Sequence, residues 1–146
     1  MKKIILIIAI AITGNFAHAQ KVSTSAVPTP VLSKFSSLYP TSKAEGWKKE
    51  KDNYETKFMD NQAKKCIQID PTGNVVKVTT TIAVSELPAA VIAYVKKNYP
   101  NDKITKACKS VEPDERIGYE VRVKESHMCF DSDGAFLRSE KQTDMD

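Results

Sequence analysis

The sequence predicts an α+β fold made of two tandem units, each a helix followed by a four-stranded antiparallel sheet, with both helices on one face and the other face open. Three observations carry this. "SLYPTSK" at 37–43 is echoed by "KNYPNDK" at 97–103, the apolar period changes from helical to two after each Tyr-Pro, and "DPTG" and "DSDG" punctuate the alternating stretches. Between residues 25–49 and 85–109, at an offset of sixty, seven of twenty-five positions are identical. Chance would give about one or two, so duplication is the better explanation.

The helices come first in each unit. Val27, Val31, Leu32, Phe35 and Tyr39 form one apolar stripe, and Leu87, Val91, Ile92, Val95 and Tyr99 repeat it. Ser25 and Ser85 stand where an N-cap hydroxyl would accept an orphan amide bond, with a proline in the first turn. Pro40 and Pro100 end the helices, because proline pushes the residue before it out of helical geometry.

Strands are expected near 44–51, 53–59, 64–70 and 74–82, and again near 104–112, 118–124, 127–131 and 135–140. "DPTG" and "DSDG" are hairpin turns, aspartate bonding to the backbone ahead and glycine taking positive φ. Alternation assigns the faces. Tyr54, Thr56, Phe58, Ile67, Ile69, Tyr119, Val121, Val123, Met128 and Phe130 point toward the helices. Glu55, Lys57, Cys66, Gln68, Glu120, Arg122, His127 and Cys129 have the opposite parity and belong to the open face. Trp47, replaced by Ala107 in the second unit, is expected as a core anchor under the first helix.

The N-terminal "MKKIILIIAIAITGNFAHAQ" carries two lysines, an apolar run from Ile4 to Ile12 and the small-residue pattern Ala17, His18, Ala19. This is the layout of a signal peptide over 1–19, with cleavage near Ala19/Gln20, and its apolar core is too short to span a bilayer. The expected location is therefore the periplasm or the outside of the cell, with no membrane insertion of the mature chain. Removing 19 residues from 146 leaves 127, enough for a single domain over 20–146 with repeats at about 25–82 and 85–140. Lys2 and Lys3 leave with the leader, so 20 basic side chains face 18 acidic ones, a net +2. The lysines of "WKKEKDNYETK" are interleaved with acids, which argues against nucleic acid as a partner.

These segments together resemble a known family, the β-lactamase-inhibitor-like, PepSY-like proteins exported by Bacteroidetes. "WKKEKDNYETKF" around Trp47 and Tyr54, "IDPTGNVVKVTTTI", "SELPAAV" and "FDSDG" carry the resemblance, in that order, over about residues 26–140. It implies helix-plus-antiparallel-sheet repeats shaped like secreted inhibitors that grip β-lactamase with an exposed sheet face. It carries over no catalytic residues, and no cofactor is expected.

The residues agree with that. His127 is the one histidine left after the leader is removed, and no base stands beside a nucleophile in the sequence, so the chain is not expected to be an enzyme. His127 and Cys129 share a strand face, and Cys66 is the repeat counterpart of His127, which makes these three the candidate metal ligands; no fourth is evident. Asp131, Asp133 and Gly134 imitate the start of a calcium loop, but its twelfth position holds Gln142, and a hairpin turn explains the pattern. Cys108 and Cys129 should lie about two strand spacings apart, roughly 9–10 Å, too far for a disulfide.

The leading expectation is an exported, non-enzymatic binding module that meets a protein partner through Glu55, Lys57, Gln68, Glu120 and Arg122. A periplasmic metal- or redox-responsive protein using Cys66, His127 and Cys129 is one alternative. A structural component of a cell-envelope assembly is the other.

Overall fold

The structure is a computed structural model and describes residues 19–141; the leader through His18 lies outside the described residues, as does Gln142. Nine strands form one sheet: β1 (Gln20–Val22), β2 (Trp47–Glu50), β3 (Asn53–Asp60), β4 (Ala63–Ile69), β5 (Val75–Ile82), β6 (Ile104–Val111), β7 (Ile117–Val123), β8 (Ser126–Phe130) and β9 (Phe136–Lys141). Each is antiparallel to its neighbour, and their order across the sheet is their order along the chain. Two ten-residue helices, α1 (Thr29–Leu38) and α2 (Ala89–Asn98), interrupt the meander between β1 and β2 and between β5 and β6.

This corrects the expected fold class. The molecule is mostly sheet and is not two separate helix-plus-four-strand units. β5 pairs with β6 from Val78↔Val111 to Ile82↔Ala107, so the sheet runs unbroken through the middle of the chain, and β1 adds a ninth strand through Gln20↔Lys49 and Val22↔Trp47. Alternation within a strand reveals its faces but not its neighbour, and an open edge on β5 would have left the backbone groups of every second residue along it without a strand partner.

The helix starts also differ from expectation. Ser25 and Ser85 sit inside single 3-10 turns, Thr24–Ala26 and Val84–Glu86, and make no N-cap bond to either helix. Val27 and Leu87 each precede a proline and are therefore held extended, at φ −82°, ψ 130° and φ −70°, ψ 146°, so neither helix can begin before it. Pro28 and Pro88 instead supply the carbonyls that accept from Val31 and Val91, each at 3.0 Å. At the other end Tyr39 and Tyr99 leave helical geometry ahead of Pro40 and Pro100, their amides donating to Phe35 and Val95 at 2.9 and 2.7 Å. The strand expected from residue 44 starts only at Trp47, because Gly46 lies at φ +123°, outside strand geometry.

The helices cover one face over two apolar clusters. Val31, Phe35, Trp47, Tyr54, Phe58, Ile67 and Ile69 close under α1, with Trp47 edge-on to Phe35 at 5.8 Å between ring centroids. Val91, Val95, Val121, Val123, Met128 and Phe130 close under α2. Each large side chain buried this way contributes about 1.5–3 kcal/mol of transfer free energy. The two Asp-x-x-Gly turns tuck against the helix N-termini: a Cβ on Gly73 would meet the Pro30 carbonyl oxygen at 2.9 Å, and one on Gly134 the Ala90 Cβ at 3.0 Å.

Candidate functional site

The face opposite the helices is polar, and the strand register arranges it in rows. Glu55 stands between Lys48 and Gln68; Cys66 between Lys57 and Thr79; Glu120 between Cys108 and Cys129; Arg122 between Lys106 and His127. Period-two alternation sends all of these away from the core. The five residues expected to form a binding face, Glu55, Lys57, Gln68, Glu120 and Arg122, all line one recess of about 200 Å³ that crosses six strands, β3 to β8. Cys66, Cys108, Val121 and His127 share the lining, and so do Lys77, Thr79 and Lys106, which the sequence alone does not assign to a site. Their parity in "VVKVTTTI" and "ITKACKSV" was the available signal, but it identifies a shared site only once β5 is known to pair with β6.

This face is less open than alternation suggested. Cys108, Ser110 and Cys129 are buried, and the Glu120 side chain is only 16% exposed. Glu120 is the hub. Lys77 Nζ donates to its Oε1 at 3.0 Å, and His127 Nε2 lies 3.2 Å from its Oε2. Lys77 reaches Glu120 from β5 across β6, whose Ser110 stands opposite Gly118 of β7, two small residues. Burial alone would raise the Glu120 pKa; the His127 and Lys77 contacts outweigh it and hold the carboxylate down at about 2. Burial would likewise depress Lys77, and the Glu120 charge reverses this, so its pKa is raised. A second fixed pair sits beside them, Gln68 Nε2 donating to Glu55 Oε2 at 2.9 Å.

The candidate metal ligands separate. His127 and Cys129 lie on β8 and Cys66 on β4, with β5, β6 and β7 between, and no group of three or more His, Cys, Asp or Glu among the described residues is placed to hold a metal ion. His127 is engaged with Glu120. Burial pushes all three thiols up, with the Glu55 charge adding to it at Cys66, so the thiolate is disfavoured. The three cysteines are free; Cys108 and Cys129 flank Glu120 on alternate strands.

The acidic turns are structural. Asp131 Oδ1 accepts from the amides of Asp133 and Ala135 at 3.0 and 2.8 Å, closing the hairpin. Asp70 does the same for Thr72 and Asn74, each at 2.9 Å.

A single long antiparallel sheet with helices on one face and a charged recess on the other defines a sheet-platform protein. The chain belongs to the PepSY-like family, whose model, described as "Putative beta-lactamase-inhibitor-like, PepSY-like", matches residues 14–77 and 52–138. Solved structures share the fold. One from Bacteroides eggerthii, described among "putative periplasmic proteins", is 20% identical with a TM-score of 0.69, covering 79% of this chain and 88% of its own. A DUF2874 family protein from Bacteroides uniformis is 19% identical, TM-score 0.67, over 78% and 88% of the two chains. A BLIP-like protein from Bacteroides fragilis is 21% identical, TM-score 0.62, over 82% and 89%. Comparison with curated proteins gives no match.

Proposed function

We propose that this protein is a non-enzymatic binding module, exported to the periplasm, that engages another protein through the polar face of its sheet. The observation that carries this is the recess itself. Its Glu120 hub, with Lys77 and His127, and its Glu55–Gln68 pair are already held in place, so a partner would order few side chains on docking. Membership of an inhibitor-like family and the likeness to a protein described as BLIP-like support the same reading. Export is supported by the description of the Bacteroides eggerthii neighbour, and no described helix is long and apolar enough to cross a membrane. Cleavage after Ala19 would make Gln20, the first residue of β1, the mature N-terminus, so the sheet would begin with the mature chain.

Site-specific photo-cross-linking in the native envelope tests this. A photoreactive residue replacing Thr79, in the recess, should give a discrete protein adduct, while one replacing Lys97 on α2 should not. An adduct through Lys97 alone would transfer the binding role to the helix face and overturn the reading.

A further inference from the structure

We propose that the recess takes a carboxylate side chain from an acidic segment of the partner, held by Lys57, Lys106 and Arg122. This rests on the reading of the polar face as the docking surface and names the chemistry that the face would recognise.

The argument begins with a balance of charges. Four cations line the recess, Lys57, Lys77, Lys106 and Arg122, against two carboxylates, Glu55 and Glu120. Lys77 is committed to Glu120. Glu55 accepts from Gln68, a neutral amide, so its charge still counts and the recess carries a net surplus of two positive charges. Among the described residues, Lys57, Lys106 and Arg122 form no ion pair.

Placement makes this surplus unfavourable in the free protein. Lys106 and Arg122 are direct cross-strand partners, and like charges directly opposite on one face of a sheet repel. Lys57, three strands away on β3, reaches toward the same space: it shares with Lys106 the lining of a smaller adjoining cavity of about 30 Å³. The Arg122 Nε is buried without any hydrogen-bond acceptor, although a guanidinium donor shielded from water ordinarily finds one. A negatively charged acceptor entering beside Lys106 and Arg122 would neutralise the repulsion, and a turn of the Arg122 side chain toward it would give the orphan Nε a partner.

Size and sign narrow the ligand. A planar carboxylate fits the guanidinium fork, and about 200 Å³ admits a side-chain terminus rather than a folded element. The net positive lining would attract either a carboxylate or a phosphate, and it is the reading of this face as a protein-docking surface that makes a carboxylate side chain the anion presented to it.

The experiment is an NMR titration of the isotope-labelled mature chain with acetylated, amidated hexaglutamate at low salt, with hexaglutamine and inorganic phosphate as separate arms. Saturable shifts centred on the amides of Lys57, Lys106 and Arg122 are expected with hexaglutamate only. Lys106→Gln and Arg122→Gln should each weaken binding by about tenfold, whereas Lys34→Gln and Lys97→Gln, on the exposed faces of the helices, should leave it within about twofold. Without peptide, Lys106→Gln should melt no lower than the parent protein, since it removes repulsion. It carries the test if Arg122→Gln fails to fold. Equal weakening by the helix variants, equal binding of phosphate at the same amides, or no saturable shift would each overturn the proposal. A lost peptide site with an intact Thr79 adduct removes the carboxylate and leaves the docking face; the reverse pattern removes the docking face alone.

Discussion

Glu120 is the residue on which the polar face depends, because it holds Lys77 and His127 from two other strands. Its folded pKa, about 2, lies below its ordinary 4.5, so the stabilisation it provides is fully present above pH 4.5 and is lost as pH falls toward 2. Urea unfolding followed across that window should show the loss in the native sequence, and Glu120→Gln should lack this component. At neutral pH the same variant should be less stable by about 1–3 kcal/mol, since it leaves a half-buried Lys77 unpaired. An unchanged acid limb in the variant would place the titration elsewhere. Gly73 is a second decisive residue: at φ +92°, and with the Pro30 carbonyl 2.9 Å from where a Cβ would sit, Gly73→Ala should cost about 1–3 kcal/mol by thermal or urea unfolding.

Among the elements, those governed by local chemistry were legible in the sequence. Tyr39-Pro40 and Tyr99-Pro100 end the helices, and the Asp-x-x-Gly turns close the hairpins, because each effect acts over a few residues. Alternation likewise placed Glu55, Lys57, Gln68, Glu120 and Arg122 on one face. The helix starts differ from expectation at Val27 and Leu87, because the stronger effect of a proline in the first turn is to hold the residue before it extended. The β5–β6 pairing was not legible at all, since Val78↔Val111 joins residues whose sequences carry no mark of each other. Lys77 and Lys106 went unassigned for the same reason. Strand placement also governs the cysteines, which fall on β4, β6 and β8 of the polar face with thiols pushed up by burial. Native protein should therefore react with a thiol-directed disulfide reagent at pH 8 on the order of 100-fold more slowly than urea-unfolded protein. Rapid native labelling of Cys108 or Cys129 would contradict the burial of those two.

Over the whole molecule, two apolar cores share one sheet, and β5 is where they meet. Val75 and Val78 pack against the cluster under α1, while Ile82, at the far end of the same strand, packs against the cluster under α2. The recess lies across this seam, with Lys57 and Gln68 on one side of β5 and Lys106 and Arg122 on the other. Its geometry therefore depends on the two cores holding a fixed relation, which the β4–β5 and β5–β6 ladders enforce through Val78, Thr79 and Thr80, each with a partner on both neighbouring strands. The native protein should unfold in one calorimetric transition, with calorimetric and van't Hoff enthalpies equal. Thr80→Pro removes a backbone donor from the strand both cores share, at a cost of about 3 kcal/mol. Its expected consequence is two resolved transitions, one per core, together with loss of the Thr79 adduct even while each core remains folded below its own melting temperature. A single transition that merely shifts downward would mean that the cores are coupled by more than the ladder, and that the recess is held by the helices and turns as well as by the strand beneath it.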